Sequence, residues 1–171
     1  MMKWDTLWEL IGSAVRTDPI EHALALEAAL RERKWFEVLA FQSRMDESAR
    51  TADAPYVRAA SVLVTGSATA AARREFLVWL ITRGKPVYLR GIENPDALAD
   101  LLTGEPVDAF GIANAPLRAY EALTGMSDFY ARLDRGPQPP EPDAVVTEAE
   151  LLEKFPRLFA LYAPAELEGD E

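Results

Sequence analysis

His22 is the only imidazole in the chain, and no cysteine accompanies it. A Ser-His-Asp relay would have to use His22, with Asp18 and Glu21 close by in sequence. No Gly-x-Ser-x-Gly nucleophile turn occurs to complete one. The plain alternative is a surface or half-buried helix histidine. Zinc needs several Cys or His ligands, so no such metal site is expected. Asp96 and Asp100 share one face of an expected helix, with Glu93 nearby. Two carboxylates can begin a Mg²⁺ or Ca²⁺ site. Asp96 also suits a first helical turn, where its charge complements the dipole, and that structural role is preferred. No EF-hand spacing and no glycine-rich phosphate loop is present; Gly66 reads as a helix stop. No catalytic residue, metal or cofactor is expected.

The basic residues are more informative. Arg73 and Arg74 fall in the first turn of an expected helix, where positive charge opposes the dipole, and Arg73 projects towards Leu77 and Leu80. Such local conflicts sometimes mark function. The bland account is a long stem lying along apolar surface, its head paired with an acid elsewhere. Arg83 and Lys85 follow at the other end of the helix, where they also fit a simple dipole role, and Arg90 comes soon after. Arg73, Arg74, Trp79, Arg83 and Lys85 are the candidate ligand or partner contacts, with Trp79 for stacking and the cations for an anion or an acidic partner. Trp79 is otherwise an ordinary core anchor.

Helices must position all of these. Asp5 can cap a first helix carrying Leu7, Trp8, Ile11 and Val15 at helical spacing. Asp18-Pro19-Ile20-Glu21 is a stronger start signal, and Leu24 and Leu30 recur along the helix it opens. A third helix carries Trp35, Val38 and Leu39. Pro55 opens a fourth, with Tyr56, Ala59, Ala60, Leu63 and Val64, which stops at Gly66. A fifth runs from about Ala70 to Arg83 and ends at Gly84. Its apolar residues, Phe76 to Ile81, spread around most of its circumference, so it should be buried on most sides. A short piece covers 87–92, and Asn94-Pro95 starts another helix through Leu98, Leu101 and Leu102. The stretch 108–125 reads as helix broken or restarted at Pro116, with Leu117, Tyr120 and Leu123 as core contacts. Thr147 and Glu150 make a capping box, and Pro156 opens a last turn.

The expectation is an all-α, single-domain array of seven to nine helices, several short. A helical core is expected over 1–134. A Pro-rich connector follows over 135–146, with prolines at 137, 139, 140 and 142, then a C-terminal helical segment over 147–165 packing on the core. An acidic tail at 166–171 is expected to fray.

The 171 residues are 49% apolar, enough for a real core, and carry 18 basic against 28 acidic side chains, a net charge of −10. A surface so acidic repels phosphate backbones, so no nucleic acid is expected as a partner. The start of the chain has no apolar run of signal-peptide length, and no stretch approaches about 20 apolar residues. No membrane association is therefore expected, and the cytoplasm is the default location.

On these residues the chain resembles a bacterial family known as domain of unknown function 4240. Ala59–Gly66 fits that family's Ala-rich helix ending in Gly. The run Phe76-Leu77-Val78-Trp79-Leu80-Ile81, then Arg83-Gly84-Lys85, and Asn94-Pro95-Asp96-Ala97-Leu98-Ala99 follow its later pattern. The stretch from Trp4 to Ile11 and the late Phe155-Pro156-Arg157-Leu158-Phe159 also resemble it. The chain departs at two places: Thr69-Ala70-Ala71 stands where the family tends to have Ser-Asp-Asp, and Leu77 where it tends to have Arg. The resemblance implies no activity. The leading expectation is a non-catalytic interaction or regulatory domain, such as an immunity-type protein, with a basic protein partner. The alternative is a small anionic-ligand binder or enzyme using a helical pocket near Arg73 and Trp79. A homodimer through exposed Trp4 and Trp8 is a third possibility.

Overall fold

The computed structural model describes residues 1–135 and 146–162. Most of the expected connector and all of the expected tail lie outside them. Among the described residues there are eleven α-helices and no strand, and nine of the helices have seven residues or more. In order they are α1 (Trp4–Ala14), α2 (Pro19–Arg31), α3 (Trp35–Ala52), α4 (Pro55–Thr65), α5 (Ala70–Thr82), α6 (Lys85–Glu93), α7 (Phe110–Ala113), α8 (Ala115–Thr124), α9 (Phe129–Arg132), α10 (Glu148–Lys154) and α11 (Pro156–Tyr162). A 3-10 helix, Pro95–Asp100, follows α6. Among the described residues no helix is long and apolar enough to cross a membrane.

The punctuation read from the sequence acts through identifiable bonds. Asp18 Oδ1 accepts the N–H groups of Ile20 and Glu21, both at 2.9 Å, and Pro19 fills the first helical position of α2. Gly66 closes α4 in the left-handed region, φ +69° and ψ +14°, with its N–H on Val62 O. Thr147 and Glu150 satisfy each other's backbone N–H groups at the start of α10. The 108–125 stretch breaks at Asn114, giving α7 and then α8 with its proline near the start.

Helix α5 is the hub, packed against α3, α4, α6 and α7. Phe76, Leu77, Trp79, Leu80 and Ile81 are all buried, as an all-round apolar helix requires. Helix α6 comes close because Gly91 has no side chain: a Cβ there would lie 2.5 Å from Leu80 Cδ1. On the other side α2 packs against α1, α7 and α8. Helices α10 and α11 lie against α4, and α11 also packs on the 3-10 helix.

Several expectations need correction. Asp5 does not cap α1, which starts at Trp4 with Lys3 before it. Asn94 makes no side-chain cap, and the helix it was expected to start is 3-10 rather than α. Leu101, Leu123 and Tyr56 are exposed rather than core. The largest departure is in α2, where Leu24 is exposed and His22 is buried.

Candidate functional site

The basic residues of α5 do not converge. Arg73 and Arg83 are ten positions apart, which spans about 15 Å along a helix axis. Each end has its own chemistry. Arg73 is only 2% exposed, and its Nε lies 3.1 Å from Asp53 Oδ1. The same carboxylate receives Arg58 in a two-pronged pair, Nε to Oδ1 at 2.9 Å and Nη2 to Oδ2 at 3.0 Å. Asp53 follows the last turn of α3, Arg58 is on α4 and Arg73 on α5. One carboxylate therefore ties three helices together, and the dipole conflict read at Arg73 is resolved by an acid from elsewhere. Thr69 Oγ1 caps the same helix by accepting Ala72 N–H at 3.3 Å. Trp79 is buried and stacks on Phe76, ring centroids 6.1 Å apart. Arg74 and Lys85 are exposed.

At the far end, Arg83 reaches across to the α1–α2 corner. Its Nη2 donates to Arg16 O at 3.0 Å and to His22 Nδ1. A guanidinium only donates, so the imidazole proton must sit on Nε2. His22 is 0% exposed, and among the described residues its Nε2 has no hydrogen-bond partner. Arg83 Nε is likewise buried without one. Burial first, then the Arg83 and Arg16 charges, lower the His22 pKa from 6.5 to about 4. Burial also lowers the Arg83 pKa. At neutral pH His22 is therefore an uncharged acceptor for a cation, and it cannot serve as a ready proton donor.

The acidic pair found in the sequence is also engaged. Asp96 Oδ1 accepts Arg157 N–H at 3.0 Å and Leu158 N–H at 2.9 Å, capping α11 from a distant part of the chain. Asp100 pairs with Arg90 and Arg157, which hold its carboxyl below the usual range. Among the described residues no three metal-ligating side chains gather. The tryptophans near the start of the chain are partly covered: the Arg44 guanidinium lies 4.3 Å from the Trp4 ring centroid, and the Trp8 ring is 5.2 Å from that of Tyr88.

What the sequence reading missed is the facing of α2. Its buried side carries His22, Ala23, Leu26 and Leu30. Its outer side carries Ile20, 71% exposed, Leu24, 59% exposed, and Ala28. Helix α7 packs beside it, with Gly111 close enough to Ala23 that a Cβ would touch at 3.4 Å. The preceding residue, Phe110, is 74% exposed. The signal was available: Ile20, Leu24 and Ala28 repeat every four residues, as does the set His22, Leu26 and Leu30. Two leucine-bearing stripes on one helix leave the choice of buried face to its neighbours.

A family model described as "Protein of unknown function (DUF4240)" matches residues 2–127. Neither the curated proteins nor the solved structures contain a match to the chain.

Proposed function

The chain belongs to the DUF4240 family, and from its own residues we propose that it is a non-catalytic interaction domain working in the cytoplasm on a basic protein partner. One observation carries this reading. On α2 the imidazole faces inwards and the isoleucine and leucine face water, the reverse of what folding alone favours. The groups best suited to chemistry support it from the other side. Asp53, Asp96 and Asp100 hold helices together, and His22 is enclosed. The net charge of −10 favours encounter with a basic surface and steers its approach. The ligand-pocket alternative comes second, because Arg73 already holds Asp53 and Trp79 already lies on Phe76, both away from water.

Capture on the immobilised full-length chain from native lysate, at low and at moderate salt, tests the reading. A stoichiometric basic protein whose retention falls with salt is expected. No stoichiometric partner at either salt would contradict it.

A further inference from the structure

We infer that the outer face of α2, extended by Phe110 of α7, is the docking surface for a cationic amphipathic helix of a partner protein. This rests on the interaction reading and adds where the partner sits and what it looks like. Among the described residues, Phe110, Ile20 and Leu24 are the most exposed large apolar side chains after the terminal Met1, and they stand on two helices packed together. A shallow depression of about 340 Å³, lined by Leu24, Glu27, Ala28, Arg31 and Glu32, continues the same face. These three side chains bury little surface in the isolated fold. Large exposed apolar clusters with a polar rim are the usual mark of a contact surface.

Charge selects the occupant. A second copy would bring another −10 against −10, which opposes self-association. Around the stripe, Arg31 and Arg118 are paired with Glu27, and the exposed Glu21 and Glu32 are the acids left to meet a cationic partner. Spacing selects its form. Ile20, Leu24 and Ala28 recur every four residues along α2 beside the depression, a ridge that suits an amphipathic helix laid alongside it. A partner helix with apolar residues at three- and four-residue spacing would cover Ile20, Leu24 and Phe110 while its lysines or arginines reach the rim.

The test uses the full chain and two labelled peptides of identical composition. One has leucines along a single helical face and lysines on the rest; the other has the same residues scrambled. The wild-type chain should bind the first at least about tenfold more tightly than the second. An Ile20→Ser/Leu24→Ser/Phe110→Ser variant should lose that preference. Leu89→Ser/Leu152→Ser, which removes exposed leucines from α6 and α10, should keep it. All five positions are on the surface, and unchanged melting temperatures would confirm intact folds. Equal binding of both peptides by the wild type, or a preference that survives in the triple variant, overturns the proposal. A wild-type dimer that becomes a monomer in the triple variant overturns it too, because the occupant is then a second copy. A salt-sensitive partner captured equally by wild type and triple variant would overturn this face alone, whereas no captured partner removes the interaction reading beneath it.

Discussion

With its Nδ1 taken by the Arg83 guanidinium and its Nε2 enclosed, His22 has no comfortable place for a second proton. Its folded pKa of about 4 lies below the ordinary 6.5, so the unfolded chain binds the extra proton first as acid is added. The stability tied to the neutral imidazole is fully present above about pH 6.5 and drains away as the pH falls towards 4, to a total of about 3 kcal/mol. Urea unfolding at pH 7 and pH 4.5 should show this loss in the wild type and a much flatter dependence in His22→Leu. Equal slopes in the two would remove the argument. Arg73 makes a prediction about packing and pairing. Its guanidinium is enclosed against Asp53, and its stem lies in the core, so Arg73→Ala should cost about 3 kcal/mol in denaturant unfolding. A cost under about 1 kcal/mol would mean that Asp53 is fully served by Arg58 alone.

Between elements, the long-range cap on α11 is the clearest device. Asp96 stands in the 3-10 helix and accepts the first N–H groups of a helix more than fifty residues later. Asp96→Ala should cost about 1 kcal/mol and speed amide exchange at Arg157 and Leu158, while Asp96→Asn should restore most of the protection. Unchanged exchange in the alanine variant would show that α11 holds without it. The elements themselves were largely legible in the sequence because their ends are written in local chemistry: Asp18 with Pro19, Thr147 with Glu150, Gly66 in a conformation that favours glycine. What was not legible depends on neighbours. Leu24 and Leu30 both fit a helical repeat, but Leu26 and Leu30 define the face that α1, α7 and α8 cover, and that rotation carries Leu24 out and His22 in. Arg83 reads locally as an ordinary charge near a helix end. Its bonds to His22 and Arg16 O cross more than sixty residues of sequence. The candidate contacts on α5 likewise share a helix in sequence but point to separate corners of the fold.

At the scale of the molecule, the acidic charge and the outward apolar stripe act together in the proposed interaction: long-range attraction would bring a basic partner close, and Ile20, Leu24 and Phe110 would then supply the desolvated anchors. Salt should therefore slow association more than it speeds dissociation, since screening acts on the approach. Helix α5, packed against α3, α4, α6 and α7, serves as the frame on which these helices are hung. Hydrogen exchange across the full chain, free and bound to the cationic amphipathic peptide, reads the surface directly. The account predicts new protection over α2 and α7 with none at the Arg83–Lys85 corner. Protection at that corner instead, with α2 unchanged, would contradict it.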